Sequence, residues 1–367
     1  MHMYEANKLF RLVIKIFLLS ILASCSSTPE QAESPIEAAP FKKSSTPNVT
    51  SETPKLLPKQ ETPPQETPQE QTRDIPREDE TFRELQEAPA QPNKERSASI
   101  QLCEEIGAKL GSVSVDDCLQ QNLIHSNLSV EGRSLAYRDF SPLKDKPPLG
   151  RVLVIGGIHG DEFSSVSILF KWMRILNKHH SGLFHWRFIP AMNPDGLLRK
   201  KSQRQNHNGV DLNRNFPTKD WATHAIAHWR NKTHSNPRRH PGLTAASEPE
   251  TKWLVNQIDA FNPDVIISMH APYHLVDYDG PPTAPDKLGG LYLRDLGVFP
   301  GSLGNYAGID LDVPIVTVEL KSAGIMPSKK EIDTMWSDLI LWLRDQLSHQ
   351  TSDVDASNGV SELIFGQ

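Results

Sequence analysis

Val152-Leu153-Val154-Ile155-Gly156-Gly157-Ile158-His159-Gly160-Asp161-Glu162 is the most informative stretch of the chain. Four branched apolar residues in a row predict a buried strand and two glycines allow a sharp turn. Phe163, Val166, Leu169, Phe170 and Met173 then recur at helical spacing. His159 and Glu162 therefore stand where a strand hands over to a helix, at the carboxyl edge of a sheet, where open α/β sheets place their ligands. An imidazole and a carboxylate three positions apart can reach one ion there. Hydrolytic zinc commonly takes two histidines and a glutamate, leaving a fourth position to water. The pair alone is a frequent accident, and a third ligand has to come from elsewhere in the chain.

The same arrangement recurs downstream. Asp264-Val265-Ile266-Ile267-Ser268-Met269 predicts a buried strand that delivers His270, and Pro314-Ile315-Val316-Thr317-Val318 predicts another that delivers Glu319. Leu135 to Phe140 reads as a first strand. Leu183 to Ile189 reads as a later one, leading to the tight turn Asn193-Pro194-Asp195-Gly196. Amphipathic helices over Glu248 to Phe261 and Ser328 to Leu347 fill two of the intervals. Strands alternating with helices imply an α/β sheet covered on both faces. Between these elements lie Arg204 and the run Asn208-Gly209-Val210-Asp211-Leu212-Asn213-Arg214-Asn215-Phe216-Pro217.

A formal charge of -6 and a pI near 6.2 give no sign of a nucleic-acid surface. Lys8 and Arg11 precede an apolar run from Leu12 to Ala23 that is too short to span a membrane comfortably and reads as an export signal. Leu22-Ala23-Ser24-Cys25 resembles a bacterial lipobox, which makes Cys25 the site of acylation and a membrane anchor. Ser26 after it, by resemblance to Gram-negative lipoproteins, implies an outer-membrane location facing the periplasm. Pro29 to Pro92 holds 12 of the 29 prolines among Glu, Gln, Thr and Ser, so this stretch cannot bury enough apolar surface to fold and is read as a disordered tether. Cys103 and Cys118, 15 apart in an oxidising compartment, are expected to close a loop, with no neighbouring ligands to suggest a metal. The resulting division is 1–25 signal with lipobox, 26–98 tether, 99–130 small helical segment, 131–348 main domain and 349–367 loose polar tail. His224 and His228, four apart, lack an acidic third partner and read as a solvated face.

From Leu135 to Leu347 the chain resembles the zinc carboxypeptidases, and within them the bacterial murein peptide amidases; the run from Arg204 to Pro217 is the most specific part. The resemblance implies a mixed, mostly parallel central sheet with helices on both faces, and one zinc per chain held by His159, Glu162 and His270. It further implies Glu319 as the base that takes a proton from the metal-activated water, and Arg204 as the group that polarises the scissile carbonyl. Asn213 and Arg214 would grip a terminal carboxylate, Asp211 would bond the first histidine, and Tyr306 would supply a substrate-pocket hydroxyl. Each role suits its chemistry: a carboxylate can shuttle the proton, and a guanidinium fork matches a carboxylate as lysine cannot. The implied substrate is a murein peptide or peptidoglycan stem, cut between γ-D-glutamate and meso-diaminopimelate. Alternatives are another carboxypeptidase or acyl amino acid deacylase substrate, or a wall-binding lipoprotein without catalysis.

Overall fold

The computed structural model describes residues 92–364 except Asp145 and Pro282, with side chains described for 97–348; the signal, Cys25 and the tether before Pro92 lie outside the described residues. In chain order the strands are β1 (Ile124–Leu128), β2 (Ser134–Phe140), β3 (Arg151–Gly156), β4 (His185–Ile189), β5 (Val265–His270), β6 (Leu275–Asp279), β7 (Lys287–Leu288), β8 (Leu291–Tyr292) and β9 (Ile315–Glu319). Seven of them form one sheet in the order β1-β2-β4-β3-β5-β9-β6, and β7 and β8 pair separately. The four central strands are parallel, and the edges are closed by antiparallel pairs. Central parallel strands are covered on both faces, which is why β3 reads as an unbroken apolar run and β5 as one interrupted only by Ser268 before His270.

The helices are α1 (Pro92–Lys109), α2 (Val115–Leu119), α3 (Phe163–His179), α4 (Pro194–Leu198), α5 (Ile226–Lys232), α6 (Pro249–Phe261) and α7 (Lys329–Ile364). Side chains alternate across a strand, and β3 shows the consequence. Val152 and Val154 enter the core that holds Leu169 and Met173 of α3 and Leu339 and Leu343 of α7. Leu153 and Ile155 enter the opposite core with Trp253, Leu254 and Ile258 of α6. The sheet is therefore sandwiched by helices, as the alternation of elements predicts.

Three boundaries differ from expectation. Pro92 opens α1 inside the stretch expected to be tether, since proline is well suited to a helix's first turn. Residues 124–128, expected within a helical prelude, form edge strand β1, largely exposed and defined by pairing with β2 rather than by local pattern. The tail expected to be loose continues α7 to Ile364; from Ser348 on that helix contains no proline and only one glycine, Gly359, so nothing in the chain stops it. Cys103 and Cys118 are bonded to each other and join α1 to α2; Leu102 and Ile106 of α1, and Leu110 just after it, belong to the first core.

Candidate active site

β5 and β9 lie side by side with His270 directly opposite Glu319, so the last residues of two strands face one cleft. β3, the neighbour of β5, ends at Gly156, and Gly157 follows in the left-handed region (φ +69°), turning the chain toward His159. Glu162 is the N-cap residue of α3, yet its side chain does not cap the helix. It turns inward instead.

His159 Nδ1 lies 2.8 Å from Glu162 Oε1, and His270 Nδ1 lies 3.2 Å from both His159 Nδ1 and Glu162 Oε2. All three residues are buried and form the group of potential metal ligands among the described residues. Two ligands each about 2.0–2.1 Å from a tetrahedral zinc sit roughly 3.3–3.4 Å apart, so this spacing fits the ion. The outward ring nitrogens are already engaged, His159 Nε2 with Asp211 Oδ1 at 3.2 Å and His270 Nε2 with Ser268 Oγ at 3.0 Å. Both Nδ1 atoms thereby face the centre, the usual work of groups behind a metal's ligands, and Arg204 Nη1 approaches His159 Nδ1 to 3.2 Å from the cleft side. Burial alone would raise the Glu162 carboxyl, but the facing imidazoles hold it well below the usual carboxylate range.

Asp211 is fully buried; its Oδ2 accepts from Arg204 Nε at 2.9 Å while Oδ1 serves His159 and the Asn213 amide. One carboxylate thus orients a metal ligand and a cleft guanidinium together. Arg204, Asn213, Arg214 and Glu319 all line the same cleft, of about 570 Å³. Arg214 is 7% exposed, its guanidinium lies 4.5 Å over the Phe299 ring, and its Nε is buried without a partner. Burial first, with the like charges of Arg204 and Arg239, outweighs the attraction of Asp211 and pulls it down to about 10. A buried cation in that condition calls for an anion. Burial pushes the Glu319 carboxyl up, with Glu162 adding to the effect.

Tyr306 is not brought to the cleft. Its ring is stacked on Phe216 in the core beneath α6 and is 8% exposed, so its hydroxyl does not line the substrate space. Tyr273 lines the cleft instead, 56% exposed, and its backbone N–H donates to Glu319 Oε2 at 3.3 Å. Tyr273 and Ser268 were not anticipated from sequence. Ser268 had a signal, since it lies two residues before His270 on one strand and so shares its face. His224 is exposed and His228 packs edge-on against Phe299, apart from the ligand group.

A buried divalent-cation site opening on a cleft, with an acid beside it, places the protein among the metal-dependent hydrolases. The pattern of the zinc carboxypeptidase family matches residues 121–284. Murein peptide amidase A of Vibrio campbellii is 32% identical over 181 residues, which is 46% of this chain and 69% of that protein. Its namesake from Escherichia coli K12 is 28% identical over 201 residues, covering 52% and 79%. The carboxypeptidase A structure from Helicoverpa armigera shares the fold, with a TM-score of 0.51 and 17% identity over 70% of this chain and 81% of that one. The chain belongs to the zinc carboxypeptidase family and is a zinc metallopeptidase.

Proposed function

We propose that this protein hydrolyses murein peptides at the amide between γ-D-glutamate and meso-diaminopimelate, on the periplasmic side of the outer membrane, to which an acylated Cys25 tethers it. The observation that carries the reading is the pairing, in one cleft, of the His159–Glu162–His270 donor set with a buried Arg214, whose Nη1 donates to the Asn213 carbonyl while its Nε has no partner. That pairing suits an amide next to a free carboxylate. The two similar bacterial proteins named as murein peptide amidases supply the substrate class.

Zinc held by His159, Glu162 and His270 would supply Lewis acidity toward a water molecule and the scissile carbonyl. Arg214 binds the substrate's carboxylate through its planar fork, and this fixes the amide against Glu319. Glu319 has Oε2 engaged by the Tyr273 amide, so Oε1 is the atom that accepts the water's proton and then returns it to the leaving amine. Its raised proton affinity suits both halves of that exchange. Arg204, held in plane by Asp211, steadies the charge that develops on the carbonyl oxygen.

Glu319→Gln should retain stoichiometric zinc and lose about 10²–10⁴-fold in turnover of murein tripeptide, since the proton carrier goes while the ligands remain. Mass spectrometry of products from murein tripeptide, a peptide panel and acylated amino acids checks the bond. Release of a peptide's terminal residue or a free acyl group, with no diaminopimelate, would replace the substrate assignment. For the anchor, Cys25→Ser should move the protein out of the membrane fraction; unchanged fractionation would remove that part of the reading.

A further inference from the structure

α4 ends at Leu198, and Arg199 leaves it in an extended conformation (φ −60°, ψ 158°), so that Arg199-Lys200-Lys201 forms a surface loop. The backbone of that loop is pinned. Lys109, the last residue of α1, donates from Nζ to Arg199 O at 2.8 Å and to Lys200 O at 3.3 Å, while Ser202 Oγ donates to Leu197 O at 2.7 Å. Gln205 Nε2 then donates to Pro237 O at 2.7 Å and joins the loop to the short turn Pro237–Arg239. The side chains of Arg199, Lys200 and Lys201 are exposed, and among the described residues none of them pairs with a carboxylate. With Ser202, Gln203 and Arg238 they line a groove of about 630 Å³. Arg238 also lines the catalytic cleft, and its Nη2 donates to Asp161 Oδ2 there at 2.8 Å, so groove and cleft share a wall.

We propose that this groove is a second binding site, which takes the carboxylates of stems neighbouring the one being cut, so that the protein acts on murein strands in preference to free murein peptides. The inference rests on the amide-hydrolase reading above and adds to it the physical form of the substrate. The chain has a formal charge of -6, so four cations around one groove run against its overall balance and mark a surface for anions. A γ-linked stem supplies them, because the linkage leaves the glutamate α-carboxylate free beside those of diaminopimelate. One exposed ion pair changes affinity by only about 1- to 5-fold, so the groove holds no single anion firmly. Several pairs formed at once multiply, and a strand already held in the cleft presents its next stems at high effective concentration. Two observations favour a wall strand over a lipid surface. The groove continues the cleft through Arg238, so its occupant is joined to whatever lies in the cleft. Among the described residues no apolar side chain lines the groove for insertion between acyl chains.

The test compares release of diaminopimelate from free murein tripeptide and from purified sacculi bearing tripeptide stems, using the zinc-loaded full chain and the triple variant Arg199→Gln, Lys200→Gln, Lys201→Gln. These side chains lie outside the catalytic cleft, so the variant should cut free tripeptide within about twofold of wild type. On sacculi at low salt its apparent kcat/KM should fall about 10- to 50-fold, mainly through KM. Raising salt from about 50 to about 500 mM should bring wild type down to the variant, since exposed charges are screened. The charge-keeping variant Arg199→Lys, Lys200→Arg, Lys201→Arg should retain wild-type action on sacculi, which separates charge from shape. An unchanged ratio of sacculus to tripeptide turnover in the zinc-bound glutamine variant, or a wild type that acts on the free tripeptide alone, overturns the assignment while leaving the hydrolase reading standing. Binding to phosphatidylglycerol vesicles that the glutamine variant loses, with sacculus turnover unchanged, overturns it in favour of a lipid surface. Release from neither substrate by the zinc-loaded wild type overturns both readings.

Discussion

Asp211 serves two masters at the level of single side chains, His159 through one oxygen and Arg204 through the other. Burial opposes its ionisation, but Arg204 and His159 hold it well below the usual carboxylate range. Asp211→Asn keeps the shape and removes the charge, so zinc affinity should fall about 10- to 100-fold, measurable by competition with a chromophoric chelator. Asp279 makes a prediction of another kind. Burial, with the charges of Asp277 and Asp295, raises its folded proton affinity above that of the unfolded chain, so its favourable contribution is complete below about pH 4 and is lost as pH rises through about 7. Asp279→Asn should therefore match wild-type stability near pH 4 and exceed it by about 1–2 kcal/mol at pH 8, after discounting for partial exposure, in urea titrations at the two pH values. The side chains that could hold a metal were legible in sequence because each follows a strand or turn with its own apolar signature. Tyr306 was not, because whether a ring faces a cleft or a core depends on its packing partner, here Phe216, which no local pattern reveals.

At the level of elements, the loop between β3 and α3 is pressed against α4 and the strand of chain after it. A β-carbon on Gly160 would meet Gly196 C at 2.2 Å, Leu197 N at 2.4 Å and Gln203 O at 2.7 Å, backbone in every direction. Backbone cannot swing aside as a flexible side chain can. Gly160→Ala should cost about 1–3 kcal/mol of stability and weaken zinc binding, because His159 and Glu162 flank the displaced segment; calorimetry with and without chelator would show both losses. Strands β3, β5 and β9 were readable because burial on both faces demands mostly apolar runs, broken only by Ser268 in β5 and Thr317 in β9 ahead of the site residues. Edge strand β1 was not, since Ile124-His125-Ser126-Asn127-Leu128 is mostly exposed and takes its shape from β2.

Across the whole molecule, the segment before β1 is part of the main core and not an appendage. Leu102, Ile106 and Cys118 pack into the cluster that includes α3, and Arg133 bridges Glu105 of α1 to buried Asp195 of α4 at 2.9 Å each. A 15-residue loop closed by Cys103 and Cys118 is worth about 3 kcal/mol on the chain-entropy estimate. Replacing both cysteines with serine should lower the melting temperature accordingly, whereas reductant should leave the melting of that double variant unchanged. Composition marked out a helical segment here, but its attachment to the core depends on contacts between residues far apart in sequence.

His270 and Glu319 occupy facing rungs of one hydrogen-bonded ladder. The separation between an ion's ligand and the neighbouring acid is then set by the pitch of the sheet, and the surrounding loops carry none of that burden. Exchanging residues 283–298, which lie beyond the Tyr273 amide and the β6 rungs that support Glu319, for a segment of different charge should redirect which molecules are accepted without retuning the machinery that cuts them, and the scaffold is open to diversification on that side.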